Sequence, residues 1–208
     1  MSTTENPTTL GQIEVEGLSR GAFMLRGALT AGALAGAAAV GPFARSAAAQ
    51  AGGDVEILNF ALTLEYLEAE FYERHARRTR LSADVRKVAS RFGDHESAHV
   101  DALTAAIKSA GGKPAAKPTF TFPVGNEAAF LKLAYDLENA GVSAYNGAGP
   151  SIKSTELLGA AGSIVQIEAR HAAEIGVLAD RSPTPDGAFD LALAMDSILA
   201  KVKPLIAG

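Results

Sequence analysis

The chain has 208 residues, 48% of them apolar, with 19 Lys and Arg against 23 Asp and Glu, four His, no Cys and no Trp. A net charge of −4 without a basic stripe excludes nucleic acid as the main partner, because phosphate binding needs clustered Lys and Arg. The lack of cysteine excludes disulfides, thiolate zinc sites, iron–sulfur clusters and a thiol nucleophile, so any metal chemistry must use His, Asp and Glu.

Residues 1–18 are polar, and Gly27 to Val40 then form a charge-free Ala/Gly/Leu run with Arg20 and Arg26 before it and Arg45 after it. Ala47-Ala48-Ala49 and Ala49-Gln50-Ala51 both fit the A-x-A cleavage pattern, which completes the anatomy of an export signal over residues 1–51. The run is shorter than the roughly 20 residues of a spanning helix, so no stable membrane anchor is expected after cleavage. Ser19-Arg20-Gly21-Ala22-Phe23-Met24-Leu25 resembles a twin-arginine signal, with Gly21 where the second arginine belongs. Twin-arginine and general export therefore both stay open, and both place the protein in the periplasm, in the cell wall or outside the cell.

From Asp54 onward the apolar residues recur at three and four, a helical period. The expected elements are a helix capped by Asp54 and running to about Arg78, and a second from Ser82 or Asp84 to about Ala110, stopped by Gly111-Gly112. A third runs from Asn126 to about Gly147, a fourth from Ser154 or Thr155 to about Asp180, and a short fifth from Phe189 to Val202, closed by Pro204. Thr119 to Val124 reads as locally extended, and the class is all-α.

Short turns join helices one and two, and three and four, so each pair should form an antiparallel hairpin. Between the pairs lies GGKPAAKPTFTFPVG, with three prolines. Fully extended, it reaches on the order of 50 Å, whereas a helix of about 25 residues is about 37 Å long. It can therefore span the bundle as one long crossover, the alternative being a compact loop in an up-down bundle. The expected organisation is residues 1–51 as signal, 52–181 as a four-helix bundle and 182–208 as a tail with a short helix.

Helix one carries Leu64-Glu65 and helix three Leu137-Glu138, each Glu followed seven residues later by a tyrosine, Tyr72 or Tyr145. Seven residues is nearly two turns, so Glu and Tyr share a face. Helices two and four carry Glu96-Ser97-Ala98-His99 and Glu168-Ala169-Arg170-His171, whose Glu and His project from one face at i and i+3. The Glu lies 31 residues before the Glu-x-x-His in the first half and 30 in the second, as if one hairpin were written twice. A lone Glu-x-x-His arises by chance, and the ordinary reading is a solvated face pairing with Arg and Lys. The matched alternation of two motifs over four helices is the specific signal.

These motifs, with LNFALTLEYLEAEFY, HESAHVDAL and LENAGVSAYNGA, resemble ferritin-like di-metal carboxylate proteins, and among them an exported branch related to plant desiccation-associated proteins. The resemblance covers about residues 54–180 and implies a four-helix bundle with one crossover between helices two and three. It also implies two divalent ions, iron or manganese: one held by Glu65, Glu96 and His99, the other by Glu138, Glu168 and His171, with Glu96 and Glu168 as bridges. Four carboxylates and two divalent cations sum to zero charge, which would relieve the cost of burying Glu65 and Glu138 in apolar faces.

Tyr72 and Tyr145 are candidates to hydrogen-bond ligands across the bundle. Glu68, one turn from Glu65, is a candidate extra ligand or base, or a surface carboxylate, and its counterpart is Gly141. His95 is expected to cap a helix or hold a ligand, and His75 to lie on the surface near the helix end, favoured by the dipole. Two functions follow. One is an oxidase, ferroxidase or peroxide-consuming enzyme acting on oxygen or peroxide. The other is a stress-protective or metal-sequestering envelope protein. Oligomeric state stays open.

Overall fold

The computed structural model describes residues 43–207, with side chains from residue 53 apart from that of Arg78. The expected export segment thus lies outside the described residues, save for the backbone of residues 43–51. Five α-helices follow: α1 (Phe43–Arg78), α2 (Ala83–Ser109), α3 (Glu127–Ala148), α4 (Thr155–Leu178) and α5 (Met195–Val202). Among the described residues no helix is long and apolar enough to cross a membrane.

Helix α1 starts well before Asp54, because the alanines ahead of that residue are strong helix formers. Asp54 consequently caps a different helix. Its buried carboxylate accepts the backbone N–H groups of Lys153 at 2.8 Å and Ser154 at 2.9 Å, just ahead of α4. Ser82 stands at the start of α2 without a capping bond of its own, and its N–H donates to the Glu127 carboxylate at the start of α3. Asn126 and Ser154 cap as expected, accepting from Ala129 at 2.9 Å and Leu157 at 3.3 Å. Gly111 ends α2 at φ 77°, and the Gly112 N–H reaches back to the Ile107 carbonyl at 2.8 Å.

The direction of α3 is fixed by two cross-bundle hydrogen bonds. Tyr72 of α1 donates to Glu138 of α3, and Tyr145 of α3 donates to Glu65 of α1. Residue 72 thus faces 138 while 65 faces 145, so α1 and α3 are antiparallel. Since α1 and α2 form a hairpin, α3 runs parallel to α2, and the linker is the long crossover. Its path is pinned along α1. Asn59 bonds the Lys113 carbonyl and the Ala115 N–H, at 3.1 and 2.6 Å. Farther along, Lys117 pairs with Glu70 at 2.8 Å, and Arg74 donates to the Phe120 carbonyl at 3.2 Å.

The fifth helix starts at Met195 rather than Phe189. Residues 189–194 form an extended strap along α3, where the Leu193 N–H donates to the Ser143 carbonyl at 3.0 Å. Phe189, 86% exposed, contributes nothing to the core. Beyond α5 the chain pairs with the crossover, Thr121 N–H to Leu205 at 2.8 Å and Ala207 N–H to Thr119 at 2.9 Å, which accounts for the extended stretch near Thr119.

Two apolar clusters fill the interior. One gathers Phe71, Phe92, Phe130, Ile175 and Ile198, and the other Leu58, Leu62, Leu103, Ile107 and Ile164. His75 packs beside the first. It is 6% exposed and packs against Phe71, Phe122 and Phe130, with Nδ1 2.8 Å from the Thr79 hydroxyl. The expected surface position is overturned because the crossover folds its aromatic residues over this end of α1.

A Cβ at Gly147 would stand 1.9 Å from the Leu193 carbonyl oxygen, whereas one at Gly159 would meet nothing within 4 Å. Gly147→Ala is therefore expected to displace the strap and cost about 1–3 kcal/mol, as overpacking does. Gly159→Ala should hold or raise the melting temperature, because alanine favours helix. Thermal melts of the two variants check the contrast.

Candidate metal centre

Glu65 and Glu68 descend from α1, Glu96 and His99 from α2, Glu138 from α3, and Glu168 and His171 from α4. The i, i+3 spacing puts each Glu-x-x-His pair on the inner face of its helix, so all six sequence-predicted ligand positions converge between the apolar clusters. Glu65, Glu96, Glu138 and Glu168 are each 0% exposed and His171 is 2% exposed.

Both histidines turn Nδ1 inward. That of His99 lies 2.9 Å from Glu96, 3.0 Å from Glu168 and 3.2 Å from Glu65. That of His171 lies 2.8 Å from Glu96 and 3.4 Å from Glu138. One N–H cannot serve two or three carboxylates at once, and the shortfall shows in the hydrogen bonds. Glu96 Oε1, Glu138 Oε2, both Glu168 oxygens and His171 Nδ1 are buried without a hydrogen-bond partner. Orphaned buried polar atoms of this kind are rare in proteins and call for an unplaced ion or water.

Within this cluster two sets of donors each lie within 4.8 Å of one another: Glu65, Glu96, His99 and Glu168, and Glu96, Glu138, Glu168 and His171. Glu96 and Glu168 belong to both sets, the arrangement two cations sharing bridging carboxylates require. Oxygen and imidazole donors without thiolate suit iron or manganese. The residues present therefore fit a dinuclear centre.

The electrostatics follow from burial and crowding. Burial pushes the Glu65 carboxyl up to about 7 and raises those of Glu68, Glu138 and Glu168, with neighbouring carboxylates adding to each shift. Burial also acts to raise Glu96, but the close approach of the His171 and His99 imidazoles outweighs it and brings that group down to about 2. For the histidines burial acts downward. Carboxylate contacts win, raising His99 to about 12 and His171 to about 9.

The surrounding residues hold the donors in place. Tyr72 and Tyr145 are buried with phenol groups pushed above their usual range, chiefly by burial, so each stays protonated and donates, Tyr72 to Glu138 and Tyr145 to Glu65 at 2.5 Å. Nδ1 of His95 lies 2.9 Å from Nε2 of His171. A hydrogen bond on the outer nitrogen sets ring orientation and tautomer, a usual arrangement around metal-bound histidine. Glu68 is 2% exposed, so the surface reading open in the sequence is excluded. Its burial was signalled only by the glycine at its counterpart, position 141.

The metal-free protein should lose stability as pH rises. Glu65, raised from 4.5 to about 7, His171, raised from 6.5 to about 9, and His99, raised from 6.5 to about 12, bind protons more tightly folded than unfolded. Their contribution is complete below the unfolded values and lost as pH climbs through the folded ones. Glu96, depressed to about 2, acts oppositely and withdraws stability only in acid. Melting temperatures of chelator-treated protein should fall between about pH 5 and about pH 9, while saturating Mn(II), which displaces the same protons, should flatten the decline.

Comparison with known proteins agrees with this geometry. A family model described as ferritin-like domain matches residues 53–180. A solved structure of ferritin-like, diiron-carboxylate proteins from Bacillus anthracis str. Ames superposes with a TM-score of 0.58 at 21% identity, covering 62% of this chain and 97% of that one. A conserved hypothetical protein from Mycobacterium tuberculosis superposes with a TM-score of 0.56 at 16% identity, covering 61% and 97%. A search of curated proteins finds no match. With more than half of its length matched and the four-helix architecture in place, the chain belongs to the ferritin-like domain family.

Proposed function

We propose that the protein is exported and holds a dinuclear iron or manganese centre that acts on dioxygen or peroxide. The observation that carries the reading is the set of orphaned oxygen and nitrogen atoms on one buried inner surface. Glu65 and His99 would hold one ion and Glu138 and His171 the other, with Glu96 and Glu168 between them. When bound, such a pair supplies electrons two at a time and a Lewis-acidic place for an oxygen ligand. Export is supported by the signal-like anatomy of residues 1–51.

The chain's own residues do the rest. Tyr72 and Tyr145 fix the carboxylates of Glu138 and Glu65, and His95 fixes His171. The apolar clusters keep bulk water from the centre. Each tyrosine also lines a surface groove. The groove at Tyr145, of about 360 Å³, is lined by Ile152, Leu158, Ala161 and Val165 and suits a small uncharged molecule. The groove at Tyr72, of about 320 Å³, carries Glu73, Arg77, Asp94 and Ser97 and suits water or a cation.

Elemental analysis of protein purified from its native compartment should find two iron or manganese ions per chain. Glu65→Ala and Glu138→Ala should each lose at least one, and oxygen or peroxide turnover should fall at least tenfold in both. Full metal content in both variants would contradict the ligand assignment. Stoichiometric metal in the wild type with no turnover would contradict the catalytic part and leave sequestration.

A further inference from the structure

The two halves of the site are related residue by residue, so departures from that relation are informative. Glu65 and Glu138 correspond, and three residues beyond them stand Glu68 and Gly141. A Cβ built on Gly141 would lie 3.3 Å from Glu68 Oε1 and 3.4 Å from Glu168 Oε2. The helix α3 backbone is thus bare where the Glu68 carboxylate approaches it, and that notch is shared with one of the orphaned Glu168 oxygens. Two carboxyl groups meet there, one 2% exposed and the other 0% exposed. A Cβ at 141 would meet the Glu68 carboxylate in tight contact.

From this the geometry points to Glu68 as a fifth carboxylate of the dinuclear centre, seated over Gly141, that makes the two metal positions unequal and favours a total cation charge above four. The inference rests on the dinuclear reading above. Four carboxylates balance two divalent ions, and a fifth leaves the divalent pair one negative charge in excess. One divalent and one trivalent ion restore neutrality. In a water-poor interior, where charges interact more strongly than in solvent, an added anion stabilises the more oxidised pair. Gly141 is then required for the lack of a side chain and not for backbone freedom, since it lies within regular helix.

The test is a mediated redox titration of the full chain reloaded anaerobically with Fe(II), comparing wild type with Glu68→Gln and Gly141→Ala. The amide keeps the shape and removes the charge, and the alanine methyl, 3.3 Å from Glu68 Oε1, forces that carboxylate to shift. Both variants should keep the fold, alanine being the better helix former. Wild type should take up two equivalents in two steps of unequal affinity. In both variants the first oxidation should become at least tenfold less favourable, a rise of about 59 mV in a one-electron potential. A merely structural carboxylate would change the melting temperature and leave the potential where it was, and an unchanged potential in both variants overturns the inference while sparing the dinuclear reading. Failure of wild type to bind Fe(II) overturns both.

Discussion

Four carboxylates and two imidazoles converge in the interior of the bundle, the four carboxylates fully buried, and their mutual proximity governs the rest of the structure. Each charge costs several kcal/mol to bury alone. Two histidines offer too few protons to four carboxylates, as the orphaned oxygens of Glu96, Glu138 and Glu168 record. Two cations would meet the shortage at these four. The antiparallel setting of α1 and α3, the inward Nδ1 atoms and the tyrosine bonds across the bundle all hold these donors where cations can reach them.

The duplicated hairpin provides the frame, and its departures from symmetry give the site its character. Tyr72 and Tyr145 preserve the relation, each bonding the glutamate of the opposite half. His95 breaks it by supporting His171, since the position matching it beyond the repeat is Ile167. Glu68 and Gly141 break it at the centre. The two grooves break it at the surface, one lined by Glu73, Arg77 and Asp94 and its counterpart by apolar and small residues.

Legibility from sequence followed the locality of the physics. The six converging donors were readable because helical periodicity fixes which residues share a face, and matched spacing in the two halves raises the pattern above chance. Asn126 and Ser154 were readable as caps because capping spans three residues. Asp54 misled because its partners, Lys153 and Ser154, lie far away in sequence while the helix continues behind it. His75 misled for a similar reason: a helix-end argument places it in solvent, but Phe122 from the crossover and Phe130 from α3 cover it. The strap at 189–194 has apolar spacing compatible with a helix, and its bonds to Ser143 and Asn146 and its contact with Gly147 hold it against α3. Glu68 lay between two faces, and its direction was settled by a glycine on another helix.

Crystals of the protein grown with Mn(II), with data collected at the manganese absorption edge, test the central claim most directly. The account predicts two anomalous peaks per chain about 3.5–4 Å apart, one beside Glu65 and His99 and the other beside Glu138 and His171, with Glu96 and Glu168 between them. Peaks confined to the surface, or an interior without anomalous density and with the six side chains unmoved, would contradict it.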